Sequence, residues 1–561
     1  MSPVETRPAE KGITSAGALT RFLSGSSSAA KGEAAKVSIT VTALMAVITA
    51  ALVPSRMLLS TGPADDSSVF AYIGWAMHRG LMPYRDIWDH KGPLLYYLQF
   101  AGMSLWSTST FGIGLLELIA WSFAFFLLYR LIASFAPFHM SLGIGFLSCV
   151  FATRFAEGGN LTESWALLPL AAAHYASWRW SQATSPTWCA AALGICSASI
   201  FWLRPNMAAY PLIAISIMLF EDRRDLGLGA AARQFAVAGA AALGFTIVVL
   251  APLYRWGVFH EFVGAYFGYN AAYSGALSLS MRVLHTQQLL TQLFAVGIAM
   301  LGTAGWVLAL KRRPEESSIV PGIPSGYRRT LIFSLPLEIA AVSLSGRDYP
   351  HYVLPLLPTF SILAAWFLCE LDGFDKSNMG RRALAFALLM GLCPFAVASY
   401  LGDAAHSLEA PAPEYVQIIR FIQRATSPKD KIIVIGGVEA AYVTYSTQRL
   451  PASRYVYQYS LTDVANPAAS DQRRQFLCDL VSNRPAIIVS GDALLGILCA
   501  SAADCNQRND GPPVSDFGYD SRLIPHLLRE TIASQYRPFD DARFGKIRVF
   551  VRNDVAIPSQ W

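Results

Sequence analysis

The chain of 561 residues is 53% hydrophobic and only 15% charged, with a mean hydropathy of +0.38. Soluble domains carry about 25% charged residues, so this balance excludes an ordinary soluble globular protein. The net charge of +6 comes with no long basic run and no zinc-type spacing of cysteine and histidine, which excludes a nucleic-acid-binding module.

Residues 1–37 are polar and rich in Ser, Ala, Gly and Lys, and read as a disordered cytoplasmic tail. The first apolar run starts near Val37, too late for a cleaved leader, so a retained helix is predicted over about 38–58. Apolar runs of roughly 17–25 residues then recur through about the first 400 positions, each long enough to cross a bilayer. Lysine and arginine mark cytoplasmic loops. The tail (Arg7, Lys11, Arg21, Lys31, Lys36), the loop with Arg223, Arg224 and Arg233, the loop with Lys311 to Arg313, Arg328 and Arg329, and the loop with Lys376, Arg381 and Arg382 are placed inside.

Counting crossings from these loops puts 59–92, 154–163, 254–285 and 346–351 outside, together with Arg204-Pro205-Asn206. Helices are predicted at 163–178, 187–203, 205–220, 234–253, 286–310, 330–345, 352–371 and 383–401. Between 92 and 154 lie three apolar runs, 94–107, 112–134 and 141–153, but both ends are outside, so an even number cross. The expectation is a polytopic all-α transmembrane bundle of about 11 crossings (range roughly 10–13) over 38–401. A soluble extracytoplasmic α/β domain follows over 402–561. Its strands are expected at Lys431–Ile435, Ala486–Ser490 and Lys546–Val551, and its helices at Pro413–Ala425 and Gln472–Ser482. Of the eight cysteines, Cys149, Cys189, Cys196, Cys369 and Cys393 sit in apolar stretches as small hydrophobes, while Cys499 and Cys505 can pair if the domain is outside.

Four polar clusters fall at the same outer face. Asp65-Asp66 precedes the amphipathic stretch Val69–Arg79. The pair serves as a helix cap, or as a base or metal ligand at the membrane surface. The run Gly80–Tyr97 includes Tyr84, His90 and Lys91 ahead of Pro93, which suits a first helical position. Lys91 and His90 at a helix start favour an anion, or anchor the chain in the headgroup zone. Glu157 and Glu163 flank the third cluster; Thr162 can cap the next helix with Glu163 in its first turn, and Asn160-Leu161-Thr162 matches a glycosylation sequon. The last cluster, Ser345–Tyr352, holds Arg347, Tyr349 and His351. Arg347 offers a fork for phosphate or carboxylate, or pairs with Asp348.

These residues resemble a family. An outer acidic pair, the run Pro83–Pro93 (Pro-Tyr-Arg-Asp-Ile-Trp-Asp-His-Lys-Gly-Pro), Thr162-Glu163 opening a helix and Arg-Asp-Tyr-Pro-His-Tyr at 347–352 are similar to GT-C fold glycosyltransferases. The nearest branch is the one related to protein O-mannosyltransferases and the lipid A aminoarabinose transferase, and the likeness covers about 38–400. It implies an inverting enzyme that moves a sugar from a polyprenyl-phosphate carrier to an envelope glycan, glycolipid or protein at the outer face of a bacterial inner membrane. On this chain it implies Asp66 or Asp65 as base and Glu163 or Glu157 as a second acid. For the donor phosphate and substrate it implies Lys91, His90, Tyr84, Arg347, Tyr349, His351 and Tyr352, with Arg204 a weaker candidate. No cofactor is firmly expected; a divalent cation stays open because some relatives use one, although Asp65-Asp66 lacks an identifiable third ligand. In this family a soluble outer domain caps the site or selects the acceptor. The rival readings are a transporter or flippase for lipid-linked glycans, which predicts paired repeats and broken helices, and a non-catalytic assembly protein.

Overall fold

The computed structural model describes residues 28–59, 66–107, 109–182, 187–275, 277–311, 323–373, 394–463, 466–490, 534–545 and 547–557. The expected disulfide pair Cys499–Cys505, the acid Asp65 and most of the expected helix 383–401 lie outside them.

The first helix, α1 (Ser28–Leu52), starts ten residues before the boundary expected from the apolar run. Next comes α2 (Asp66–Met77), in which Ser67 to Met77 are all buried. It is therefore not the amphipathic surface stretch that the sequence suggested. One reason is that the C-terminal unit packs on it, where the Trp75 Nε1–H donates to Gln448 Oε1 at 2.6 Å.

The three apolar runs of uncertain crossing become α3 (Pro93–Leu105), α4 (Thr110–Ile132) and α5 (Phe138–Ala156). The helices α4 and α5 are long and apolar enough to cross a membrane. The 13 residues of α3 rise only about 20 Å against a hydrocarbon core of about 30 Å, so α3 is the run too short to span.

The bundle continues with α6 (Thr162–Trp180), α7 (Thr187–Leu203), α8 (Ala209–Leu226) and α9 (Leu228–Arg255). A Cβ on Gly194 of α7 would lie 2.1 Å from the Ala238 carbonyl oxygen of α9. The two backbones touch there because a small residue permits it, which is how helices associate without a hydrophobic driving force in lipid.

The segment 254–285, expected as a loop, is mostly helical: Phe259–Val263, a π-turn at Gly264–Tyr269, Asn270–Gly275, and the start of α10 (Leu279–Phe294). Nor is 286–310 one straight helix. The helix α10 meets α11 (Gly297–Lys311) at 99°. Then come α12 (Ser325–Val342), a 3-10 stretch at Pro350–Leu356, and α13 (Leu357–Gly373). Among the described residues four helices, including the continuous stretch Pro350–Leu371, and a fifth span if the bent pair counts as one, are long and apolar enough to cross. The chain is a multi-pass membrane protein.

The C-terminal unit holds α14 (Pro413–Ala425), α15 (Glu439–Thr447), α16 (Ala469–Asn483) and strands β1 (Lys431–Ile435), β2 (Leu450–Pro451), β3 (Ile487–Ser490), β4 (Tyr536–Phe539) and β5 (Arg548–Arg552). The sheet order is β2-β1-β3-β5-β4. Strand β1 runs parallel to β2 and β3, with Ile432 opposite Ile487, and β5 runs antiparallel to β3 and β4. The buried runs Ile432–Ile435 and Ile487–Ser490 fit central strands covered on both faces. One hydrophobic core runs without a break from Ile433, Tyr455 and Phe476 of this unit to Trp75, Trp88 and Tyr96 of the bundle.

Candidate functional site

The stretch 80–93 is a compact hydrogen-bonded loop. Tyr84 adopts φ 69°, a left-handed conformation rare for an aromatic residue. It is held there because its N–H donates to the Ile87 carbonyl at 2.7 Å and its hydroxyl to the Lys91 carbonyl at 2.9 Å. Asp89 is 1% exposed. Its carboxylate accepts from the Tyr96 hydroxyl at 2.7 Å, the His90 N–H at 2.8 Å and the Tyr457 hydroxyl of the C-terminal unit at 2.5 Å. Three donors to a buried carboxylate offset its desolvation. Gly92 closes the loop against α7: a Cβ there would sit 1.9 Å from the Trp202 carbonyl oxygen.

Burial by itself would raise the Asp89 carboxyl, but the His90 hydrogen bond and the charges of His90 and Lys91 hold it at about 2. Burial, helped by Lys91, pushes the neighbouring His90 below its ordinary value, so the ring is neutral near pH 7. For Lys91 burial acts downward, yet Asp66, Tyr352 and Asp89 together outweigh it and the amine stays protonated. The Lys91 ammonium lies 3.7 Å from an Asp66 carboxylate oxygen.

Opposite stands a second unusual loop. Glu157, Gly158, Gly159 and Asn160 all have positive φ, from 50° to 92°. Each non-glycine residue in that region costs on the order of 1–2 kcal/mol, so the surroundings must hold it. Glu117 of α4, 4% exposed, accepts the Asn160 N–H at 2.6 Å. Gln99 and Trp165 donate to the Asn160 side chain at 2.6 and 3.0 Å. The loop presents Glu157 to His351, whose Nδ1 is 2.5 Å from the carboxylate. Just beyond it, Glu163 is buried and pairs with Arg204, whose guanidinium lies 3.8 Å from the Tyr352 ring centroid.

These groups surround one cavity of about 730 Å³. Of the residues picked out from sequence, Asp66, His90, Lys91 and Glu157 line it from the earlier loops. Arg204, Tyr349, His351 and Tyr352 line it from the later ones. Glu163 stands behind Arg204. Tyr84 and Arg347 are buried outside the lining: Tyr84 braces Lys91 from below, and Arg347 places its guanidinium 4.7 Å from the Tyr273 ring.

Sequence reasoning missed two sets of residues. Tyr266, Tyr269, Asn270 and Tyr273 line the cavity from the segment taken for a loop. Their spacing of three and four is a helical signal that could have been read. Tyr457 and Tyr459 come from the C-terminal unit, where only the alternation Tyr455-Val456-Tyr457-Gln458-Tyr459 gives a local hint. Ringed by tyrosines, with acids and cations side by side, the cavity suits a polyhydroxylated ligand that carries an anionic group. Among the described residues no group of three His, Cys, Asp or Glu side chains could hold a metal ion.

The family model described as "Putative competence-induced protein Ccs4 N-terminal domain" matches residues 28–388. The chain belongs to this family. No curated protein matches. Among solved structures, ArnT from Cupriavidus metallidurans bound to undecaprenyl phosphate is 12% identical with a TM-score of 0.52, over 82% of this chain and 93% of that one. The same protein in the apo state gives 12% and 0.49, over 83% and 95%. The Archaeoglobus fulgidus oligosaccharyltransferase in complex with Zn and sulfate gives 13% and 0.44, over 81% and 67%. The likeness to the undecaprenyl phosphate-bound ArnT gives this member of the Ccs4 family the GT-C fold.

Proposed function

We propose that the chain is an inverting membrane glycosyltransferase that takes a sugar from a polyprenyl-phosphate donor. It passes the sugar to an envelope glycan, glycolipid or protein at the outer face of a bacterial inner membrane. The N-terminus is cytoplasmic, the C-terminal unit of 402–561 is extracytoplasmic, and about eleven helices cross. The observation that carries this reading is the cavity in which Asp66 lies beside Lys91, with Arg204 and His351 on the same lining.

In this reading the acceptor hydroxyl attacks the anomeric carbon from the face opposite the phosphate. Asp66, or Asp65 beside it, takes the hydroxyl proton, the new C–O bond forms, and the bond to the phosphate oxygen breaks. Lys91 and Arg204 stabilise the charge that grows on the leaving phosphate, the kind of preorganised help that matters most where water is excluded. The neutral His90 donates or accepts a hydrogen bond at the same group. Glu163 holds Arg204, and the tyrosines stack on the sugar. The GT-C fold, and a solved structure of that fold with undecaprenyl phosphate bound, support the donor class.

A transporter reading draws on the 99° break between α10 and α11. A transfer assay separates the two. Purified chain in proteoliposomes is given a panel of polyprenyl-phosphate sugars and a membrane glycolipid extract. Transfer by the parent and its loss in Asp66→Asn or Asp65→Asn, with donor binding kept, is the expected result. Full transfer in both variants overturns the base assignment, and no transfer by the parent with any donor favours the transporter.

A further inference from the structure

Glu157 faces two cavities, not one. Besides the tyrosine-lined cavity, it lines a second of about 450 Å³, together with Arg56, Arg154, Gln292, Asp403 and His406. Apart from Pro350, this second lining is entirely polar. Its volume is within the range of small-molecule sites, roughly 300–1,000 Å³, enough for one sugar and its substituent but not for an extended peptide.

The two guanidinium groups arrive from different elements. Arg56 follows α1 and is fixed by the chain after α13, donating to the Ser407 and His406 carbonyls at 2.5 and 3.3 Å. Arg154, in the last turn of α5, is one-third exposed and meets Asp403 at 3.4 Å, beyond the roughly 2.7–2.9 Å of a strong charge-assisted hydrogen bond. A guanidinium offers five N–H donors in a planar fork, so one contact of this length leaves Arg154 able to grip an anion that enters. Glu157 lines both cavities, and His351, which pairs with it, lines the first.

A transferase must bring two substrates to one point from separate sites. We infer that the second cavity is the acceptor subsite, and that it takes a sugar or glycolipid headgroup bearing a phosphate or carboxylate. Arg154 and Arg56 hold the anionic group, and the acceptor hydroxyl passes Glu157–His351 to reach the first cavity. This inference rests on the glycosyltransferase reading, but its anion preference can be measured without any transfer.

The test uses the full chain in detergent with Gln292→Cys. It is reacted separately with the anionic sulfonatoethyl and the cationic trimethylammonioethyl methanethiosulfonates, and the parent chain treated in parallel removes the contribution of its own cysteines. The anionic reagent is expected to react about tenfold or more faster relative to its rate on free thiol, with parity in the added variant Arg154→Gln and the bias kept in Arg154→Lys. The attached sulfonate is expected to block transfer to the glycolipid extract while undecaprenyl phosphate still binds. A bias that is absent, or that survives Arg154→Gln, overturns the anion site. A blocked thiol with full transfer overturns the acceptor assignment. A bias that depends on Arg154 in a chain showing no transfer before labelling keeps the anion site and overturns the glycosyltransferase reading on which the acceptor role rests. Transfer that survives dephosphorylation of the extract but not esterification of its carboxylates makes a carboxylate the group recognised, and transfer that survives both overturns the anionic acceptor; if acidic peptides are accepted instead, the sugar class is wrong.

Discussion

Removing the Tyr457 hydroxyl tests whether the C-terminal unit is part of the site. In Tyr457→Phe, Asp89 loses a 2.5 Å hydrogen bond but keeps Tyr96 and the His90 N–H. A hydrogen bond to a charged group contributes about 1.5–3 kcal/mol. Since about 1.4 kcal/mol is a factor of ten, opening of the 84–91 loop should become about 10- to 100-fold easier. Amide hydrogen exchange reads this directly. Amides at 84–91 and 454–459 should exchange faster by that factor, while those of α13, buried and remote from the contact, should not change. Less than a twofold change in the loop would refute the reasoning, because the hydroxyl would then not be what secures Asp89. An equal change throughout would mean that the whole chain had loosened.

Three further predictions follow from the packing and the charges. Gly92→Ala places a Cβ 1.9 Å from the Trp202 carbonyl oxygen, so the loop must shift by about 1 Å or more, a misplacement that can cost about 100-fold in rate; transfer should fall at least that far, and because the clashing atoms are backbone the melting temperature should fall as well. Glu117→Ala leaves the buried Asn160 N–H without its acceptor, at about 1–3 kcal/mol; Glu117→Gln restores an acceptor and should rescue both stability and transfer, which calorimetry and the transfer assay check. Asp89, with an ordinary value of 3.8, is held at about 2. Its depressed value means that its contribution, about 2 kcal/mol, is complete above pH 4 and lost as pH falls through 2. Melting between pH 5 and 2 should show this loss in the parent and not in Asp89→Asn.

What the sequence determined is what depends on local pattern. Long apolar runs impose helices in lipid, because only there are all backbone groups satisfied. Short β-branched runs between amphipathic segments gave β1, β3 and β5 to within about two residues, a usual margin for boundaries. The polar residues interrupting the apolar runs, Asp66, Lys91, Glu157, Arg204 and His351 among them, were visible because charge beside hydrocarbon is costly and so stands out. Tertiary structure alone decided the rest. Whether α2 is a wet surface helix or a buried one depends on α15, more than 350 residues later, covering its outer face. Only the fold brings the Tyr457 hydroxyl to Asp89, or puts Glu163 behind Arg204 and Arg347 outside the lining. Hydropathy along a chain reports what a segment prefers to face; it carries no record of which distant segment will be there to face it.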